Sequence, residues 1–296
     1  MNQVKIITDS CSDLTPELFE KYGIDYAKMN TVIEGKEIPA SLYWEYFSPK
    51  EFYDILRSGK KVTTTQVPVE EFERVFVEWL DKKYDLVYIG CSSKLSGSVN
   101  TAAVVAKELA PKYPDAKIVV IDSKIASMGE GMLAIEAAKL AAAGKNAEEI
   151  EREITALRLH ARQGASVDSL TFLARAGRIK ATKAFFGNLL GVKPLVVSDY
   201  NGDNVACGKT KGRKNSFRMV LDYAKEHIRD AQNQTVYFGH ADCPQEEIDE
   251  FRAAVETELK PKDFYVYSLG PIIGTSTGPG MYGFYFFGDE KQPDKN

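Results

Sequence analysis

The chain has 296 residues, 44% of them apolar and 27% charged, with a formal net charge of −4. That length and apolar share are enough to bury a core in each of two average domains. The slight negative charge argues against nucleic acid as a partner, and the lack of any apolar run approaching about 18 residues argues against a membrane span.

The opening MNQVKIITDS has no basic flank before a long apolar stretch, so a cytoplasmic location is expected. Val4–Thr8, Asp85–Gly90 and Lys117–Asp122 read as strands, each followed by a helix pattern, which is the rhythm of a mainly parallel sheet. Ser48-Pro49-Lys50-Glu51 supplies a cap, a first-turn proline and a capping-box glutamate for a helix that Ser58-Gly59 stops. Val69, Phe72, Phe76, Trp79 and Leu80 share one face of the next helix and predict core packing. Two further helices are predicted over Ala126–Ala143 and Ala147–Gln163, split by Gly144-Lys145-Asn146. A domain boundary is placed near the end of the second, giving an N-terminal domain 1–160 and a C-terminal domain 161–296.

The second half carries strand patterns at Pro194–Ser198, Thr235–Gly239, Phe264–Leu269 and Met281–Phe287, with helices after Arg213 and Pro244. Asn201-Gly202 between strand-like runs predicts a hairpin, so this sheet is at least partly antiparallel.

Cys11, Cys91, Cys207 and Cys243 stand far apart without C-x-x-C or a nearby histidine, which predicts reduced thiols and no structural zinc. Neither G-x-x-x-x-G-K-[ST] nor a strand-borne G-x-G-x-x-G occurs, so no nucleotide cofactor is expected. Gly129-Glu130-Gly131, inside a helical run, reads as a packing feature. Gly274-Thr275-Ser276-Thr277-Gly278 spells G-x-S-x-G, the pattern around a hydrolase nucleophile. That nucleophile needs a helix after the turn, whereas Met281–Phe287 reads as a strand, and His160, His227 and His240 all precede Ser276. A hydrolase using Ser276, with His240 brought near by folding, stays as the enzyme alternative.

Hydroxyls and glycines gather instead in three segments: Val62–Gln66, Cys91–Ser98 and Thr275–Thr277. Ser96-Gly97 precedes the helical run Val99–Leu109, so Ser96 is a candidate N-cap, and the helix start favours an anion through its unpaired amides. A single carboxylate suits such donors.

Thr8-Asp9-Ser10, Val62-Thr63-Thr64-Thr65-Gln66, Ser92-Ser93-Lys94-Leu95-Ser96-Gly97-Ser98, Val120-Ile121-Asp122-Ser123, Ala176-Gly177-Arg178-Ile179, Gly208–Lys214 and Gly270–Gly280, in that order, resemble the DegV family over nearly the whole chain. The resemblance implies a two-domain α/β fold, with a mainly parallel sheet in the N-terminal domain and a mixed, partly antiparallel sheet in the C-terminal domain. It implies a lipid carrier rather than an enzyme, holding one long-chain fatty acid between the domains for a separate fatty acid kinase subunit in phospholipid metabolism. Carried over by motif, Thr64 and Ser96 bind the carboxylate, with Thr65, Gly97, Thr275, Ser276 and Arg175 around it. Phe172, Phe185, Phe186, Leu189, Leu190 and Ile273 line the acyl-chain pocket, and Arg178, Lys211 and Lys214 face the kinase. No metal, cofactor or nucleic acid enters this picture; a monomer making transient membrane contact is expected. The family's last loop usually reads G-T-H-x-G-P-G, and Ser276 stands at the position of that histidine, so the head group here would rest on hydroxyls and amides. A carboxylate sensor without a kinase partner is the remaining alternative.

Overall fold

The computed structural model describes residues 2–180 and 191–293. Its first sheet holds four parallel strands in the order β2 (Asp25–Ala27), β1 (Val4–Asp9), β6 (Asp85–Gly90) and β7 (Ile118–Asp122). A parallel sheet must be covered on both faces. Accordingly Ile6 and Ile7 of β1 and Leu86 to Ile89 of β6 are all buried. The helix pairs α3 (Val69–Asp81) with α4 (Ser98–Leu109), and α5 (Met128–Ala142) with α6 (Ala147–Leu157), provide that cover.

The α3 stripe differs from the expected one at its ends. Val69, in the first turn, is exposed, while Val75 is buried beside Phe72, Phe76 and Leu80. Trp79 is only half-buried, and its indole N–H donates to Asp25 Oδ2 at 2.8 Å. The capping box at α2 (Pro49–Arg57) forms as the sequence predicts, with Ser48 and Glu51 each accepting the other's backbone N–H. Between β2 and α3 lies a three-stranded antiparallel sheet that sequence patterning did not indicate, ordered β4 (Lys36–Pro39), β3 (Asn30–Ile33), β5 (Val62–Thr65).

The helix predicted to run to Gln163 ends at Leu157, and Ala161–Ser166 is strand β8. This segment is captured by pairing on both sides, with β13 (Tyr282–Phe287) and with β9 (Val192–Ser198). The six-stranded sheet runs β10 (Asn204–Lys211), β9, β8, β13, β11 (Thr235–His240), β12 (Asp263–Ser268); only β11 and β12 pair in parallel. The predicted hairpin joins β9 to β10, with Gly202 at φ +94. Alternation along β11 and β13 sends Val236, Phe238, Tyr282, Phe284 and Phe286 into a core under α8 (Arg213–His227) and α9 (Gln245–Glu258). Tyr237 and Tyr285 face the other way, into a core continuous with the first sheet.

The segment Gly270–Gly280, which includes the last loop of the motif, is mostly helix: α10 (Pro271–Thr277) starts on Pro271 with Gly270 as its cap. Gly274 serves packing here, since a Cβ at that position would lie 2.8 Å from the Tyr53 hydroxyl. The Gly129–Gly131 segment is also a close-packing feature, with Ser12 O 2.7 Å from where a Gly131 Cβ would be. Among the described residues no helix is long and apolar enough to cross a membrane.

Near the C-terminal end Lys291 is buried, its Nζ donating to Lys124 O at 3.3 Å. Burial pushes its pKa down to about 7. Between that value and the ordinary lysine value of about 10.4, the unfolded chain binds the extra proton, so this residue makes stability rise with pH across the window. Lys291→Met is expected to be more stable than the parent at pH 7, by on the order of a few kcal/mol, with the gain shrinking toward pH 10. Urea unfolding at both pH values measures this; a gain that does not change with pH would come from packing and not from the buried amine.

Candidate functional site

Three loops leave the carboxyl ends of β1, β6 and β7, the edge where open α/β sheets place ligands. They meet β5, α10 and β8 around a cavity of about 150 Å³. Thr64 and Thr65 reach it from the end of β5, Ser96 and Gly97 from the loop before α4, and Ile273 and Ser276 from α10. The three hydroxyl-rich segments therefore converge, although they are far apart in sequence. Much of the remaining wall is apolar, including Met29, Ala126, Ala165, Val167, Leu173 and Val196.

Among the described residues the Thr65 hydroxyl is buried without a hydrogen-bond partner, so it is free to meet a ligand. Ser96 is not the cap of α4. Helical geometry begins at Ser98 with Gly97 in the cap position, and Ser96 Oγ instead accepts the Ser98 N–H at 3.2 Å and bonds Ser98 Oγ at 3.0 Å.

On α10 successive side chains diverge. Thr275 and Thr277 donate their hydroxyl protons to Pro271 O and Ile273 O, at 2.7 and 2.8 Å, leaving only lone pairs for a partner. Thr277 borders the cavity just described, whereas Thr275 borders a second one of about 160 Å³. Phe172 and Arg175, on α7 (Thr171–Ala176), also line the second cavity, with the Arg175 guanidinium 5.8 Å from the Phe172 ring centre. The predicted group thus splits in two, and Thr64, Ser276 and Arg178 form the wall common to both cavities.

Arg178 is exposed; its guanidinium donates to Leu95 O at 2.9 Å and to Ala176 O. Lys211 is exposed at the end of β10, and Lys214 on α8 pairs with Glu250 at 2.9 Å. Phe185, Phe186, Leu189 and Leu190 lie outside the described residues.

Ser276 sits in the last turn of a helix rather than on a strand-to-helix elbow, and none of the three histidines lines the cavity. His240 Nδ1 accepts the Cys243 N–H at 3.3 Å, and burial lowers its pKa. Ser276 therefore has no imidazole base at the cavity wall.

Sequence reading missed Asp13, which fixes the site from behind. Its Oδ1 accepts the Gly270 N–H at 2.8 Å and its Oδ2 the Ser127 hydroxyl at 2.5 Å, tying the cap of α10 to the start of α5. Burial pushes the carboxyl up to about 7. Gln163, Ala165 and Val167 were missed too, although their spacing of two would mark a cavity-facing edge once 161–166 is read as a strand.

Residues 3–289 match the model of the DegV family. A DegV domain-containing protein of Clostridium perfringens is 32% identical over 293 residues, covering 99% of this chain and 100% of its own length. One from Caldanaerobacter subterraneus is 34% identical over 287 residues, covering 97% and 99%. Among solved structures, a fatty-acid-binding DegV family protein from Thermus thermophilus aligns at TM-score 0.87 and 30% identity, over 98% of this chain and 100% of that one. A stearic acid-binding protein from Eubacterium ventriosum aligns at TM-score 0.83 and 27% identity, over 96% and 98%.

Proposed function

Since the chain belongs to the DegV family, we propose that it carries one long-chain fatty acid between two lobes, residues 1–160 and 161–296. The carboxylate sits against Thr64, Thr65, Ser96, Gly97 and Ser276, where the two cavities share a wall, and the tail runs along the apolar side. The observation that supports this most is the unpartnered Thr65 hydroxyl facing a largely apolar cavity beside Ser96 and Ser276. Arg178 reaches the shared wall and Arg175 the second cavity, so cations flank the head group.

A C16–C18 chain buries about fifteen methylenes, a gross gain on the order of 12 kcal/mol at roughly 0.8 each. Hydrogen bonds to the charged head add about 1.5–3 kcal/mol apiece. The tail therefore supplies affinity and the head supplies orientation. The cavity, at about 150 Å³, is smaller than the roughly 300–1,000 Å³ of sites that enclose drug-sized ligands. Loading thus requires widening, and the unbranched side chains of Met29 and Met281 in its wall rearrange most readily. Presentation to a kinase would use the exposed cations Arg178, Lys211 and Lys214 against an acidic partner surface.

Native mass spectrometry of the purified protein, with gas chromatography of its extracted lipid, tests the proposal. Near one acid per chain is expected, and Thr64→Ala and Ser96→Ala should each weaken retention about tenfold, more than Ser276→Ala does. Equal retention in all three variants would remove the head-group assignment. Hydrolysis of p-nitrophenyl esters that Ser276→Ala abolishes would replace the carrier with a hydrolase.

A further inference from the structure

Three sulfur-bearing residues border the first cavity. β1 and β6 are neighbouring parallel strands, and each is followed by a cysteine just past its C-terminal end: Cys11 after Asp9, and Cys91 after Gly90. One carboxylate holds both turns, Asp9 accepting the Cys11 N–H at 2.8 Å on Oδ1 and the Cys91 N–H at 3.3 Å on Oδ2. Both thiol-bearing residues border the same cavity. Cys11 Sγ also lies 3.5 Å from the Met29 thioether sulfur. All three residues are buried in the core, and all three border the cavity.

We infer that Cys11, Cys91 and Met29 form a binding site for a monovalent soft cation of the Cu(I) or Ag(I) class. Two thiols and a thioether are the donors such ions select, whereas Zn(II) calls for four ligands, and among the described residues no group of three or more His, Cys, Asp or Glu could hold a metal. The spacing of Cys11 and Met29 suits the ion. Metal–sulfur bonds of roughly 2.3 Å in a trigonal arrangement put the sulfurs about 4 Å apart, so the Cys11–Met29 pair has to open by only about half an ångström. Binding forms three metal–sulfur bonds, breaks the two S–H bonds and releases both protons, with no change in oxidation state.

The test uses full-length protein carrying Cys207→Ser, which removes an exposed thiol. Cu(I) is added without oxygen against bicinchoninate as competing chelator. One Cu(I) per chain is expected, with three sulfur neighbours in X-ray absorption. Met29→Leu preserves volume and fold and should leave two sulfur neighbours with affinity lowered about tenfold or more, while Cys91→Ser should lower it at least 100-fold. Failure to retain copper against the chelator, equal retention in Cys91→Ser, or loss of copper on changing Cys243 instead would overturn the inference. Bound lipid is measured on the same samples, so a negative copper result leaves the fatty-acid proposal standing or falling on its own data.

Discussion

Ala165→Phe is expected to leave the protein folded and almost free of lipid, with retained acid falling by on the order of 100-fold or more in native mass spectra. Ala165 lies on β8 between Gly283 of β13 and Val196 of β9, and its side chain enters the cavity alongside Leu173 and Met281. An aromatic ring at this point fills much of a space of only about 150 Å³. Overpacking of this kind costs about 1–3 kcal/mol, which a typical reserve of 5–15 kcal/mol absorbs. The tail would then have to give up a large part of its roughly 12 kcal/mol of gross burial. Val104→Phe, on an exposed face of α4 remote from the cavity wall, is the matched control and should retain lipid normally. Full occupancy in Ala165→Phe would place the acid somewhere else.

Elements whose identity is set locally could be read from the sequence. β1, β6 and β7 announce themselves as apolar runs, α2 by its capping box, and the β9–β10 hairpin by Asn201-Gly202. β8 could not be read this way, because Ala161-Arg-Gln-Gly-Ala-Ser166 has no β-branched or aromatic residue and is a strand only by virtue of its two neighbours. α10 was hidden for a related reason, since its glycine answers to the Tyr53 ring on α2 and not to backbone freedom. The site was half legible. Composition pointed to the segments that hold Thr64, Ser96 and Ser276, but not to helical rotation placing Thr275, with Phe172 and Arg175, on a second cavity. Spacing along the chain could not bring Cys11 and Cys91 to one cavity either, because their nearness comes from the pairing of β1 with β6.

Asp13→Ala is expected to lower stability by about 2–4 kcal/mol and to weaken lipid retention about tenfold, whereas Asp13→Asn stays close to the parent in both. Alanine removes the acceptor of two buried donors, the Gly270 N–H and the Ser127 hydroxyl, and each unpaired group costs about 1–3 kcal/mol. Asp13 also sits at φ +52, a left-handed conformation that asparagine tolerates and alanine resists by roughly 1–2 kcal/mol. Part of this loss is offset because burying the carboxylate is itself unfavourable, as its elevated pKa shows. The amide of asparagine accepts from Gly270 through its oxygen and donates to Ser127 through its nitrogen, preserving both contacts without charge. The effect on lipid follows from position: with the cap of α10 released, Ile273 and Ser276 lose their fixed placement in the cavity wall. Urea unfolding and lipid quantification on the two variants provide the measurement. An asparagine variant as damaged as the alanine one would mean that charge, and not the pair of hydrogen bonds, holds α10 against the start of α5.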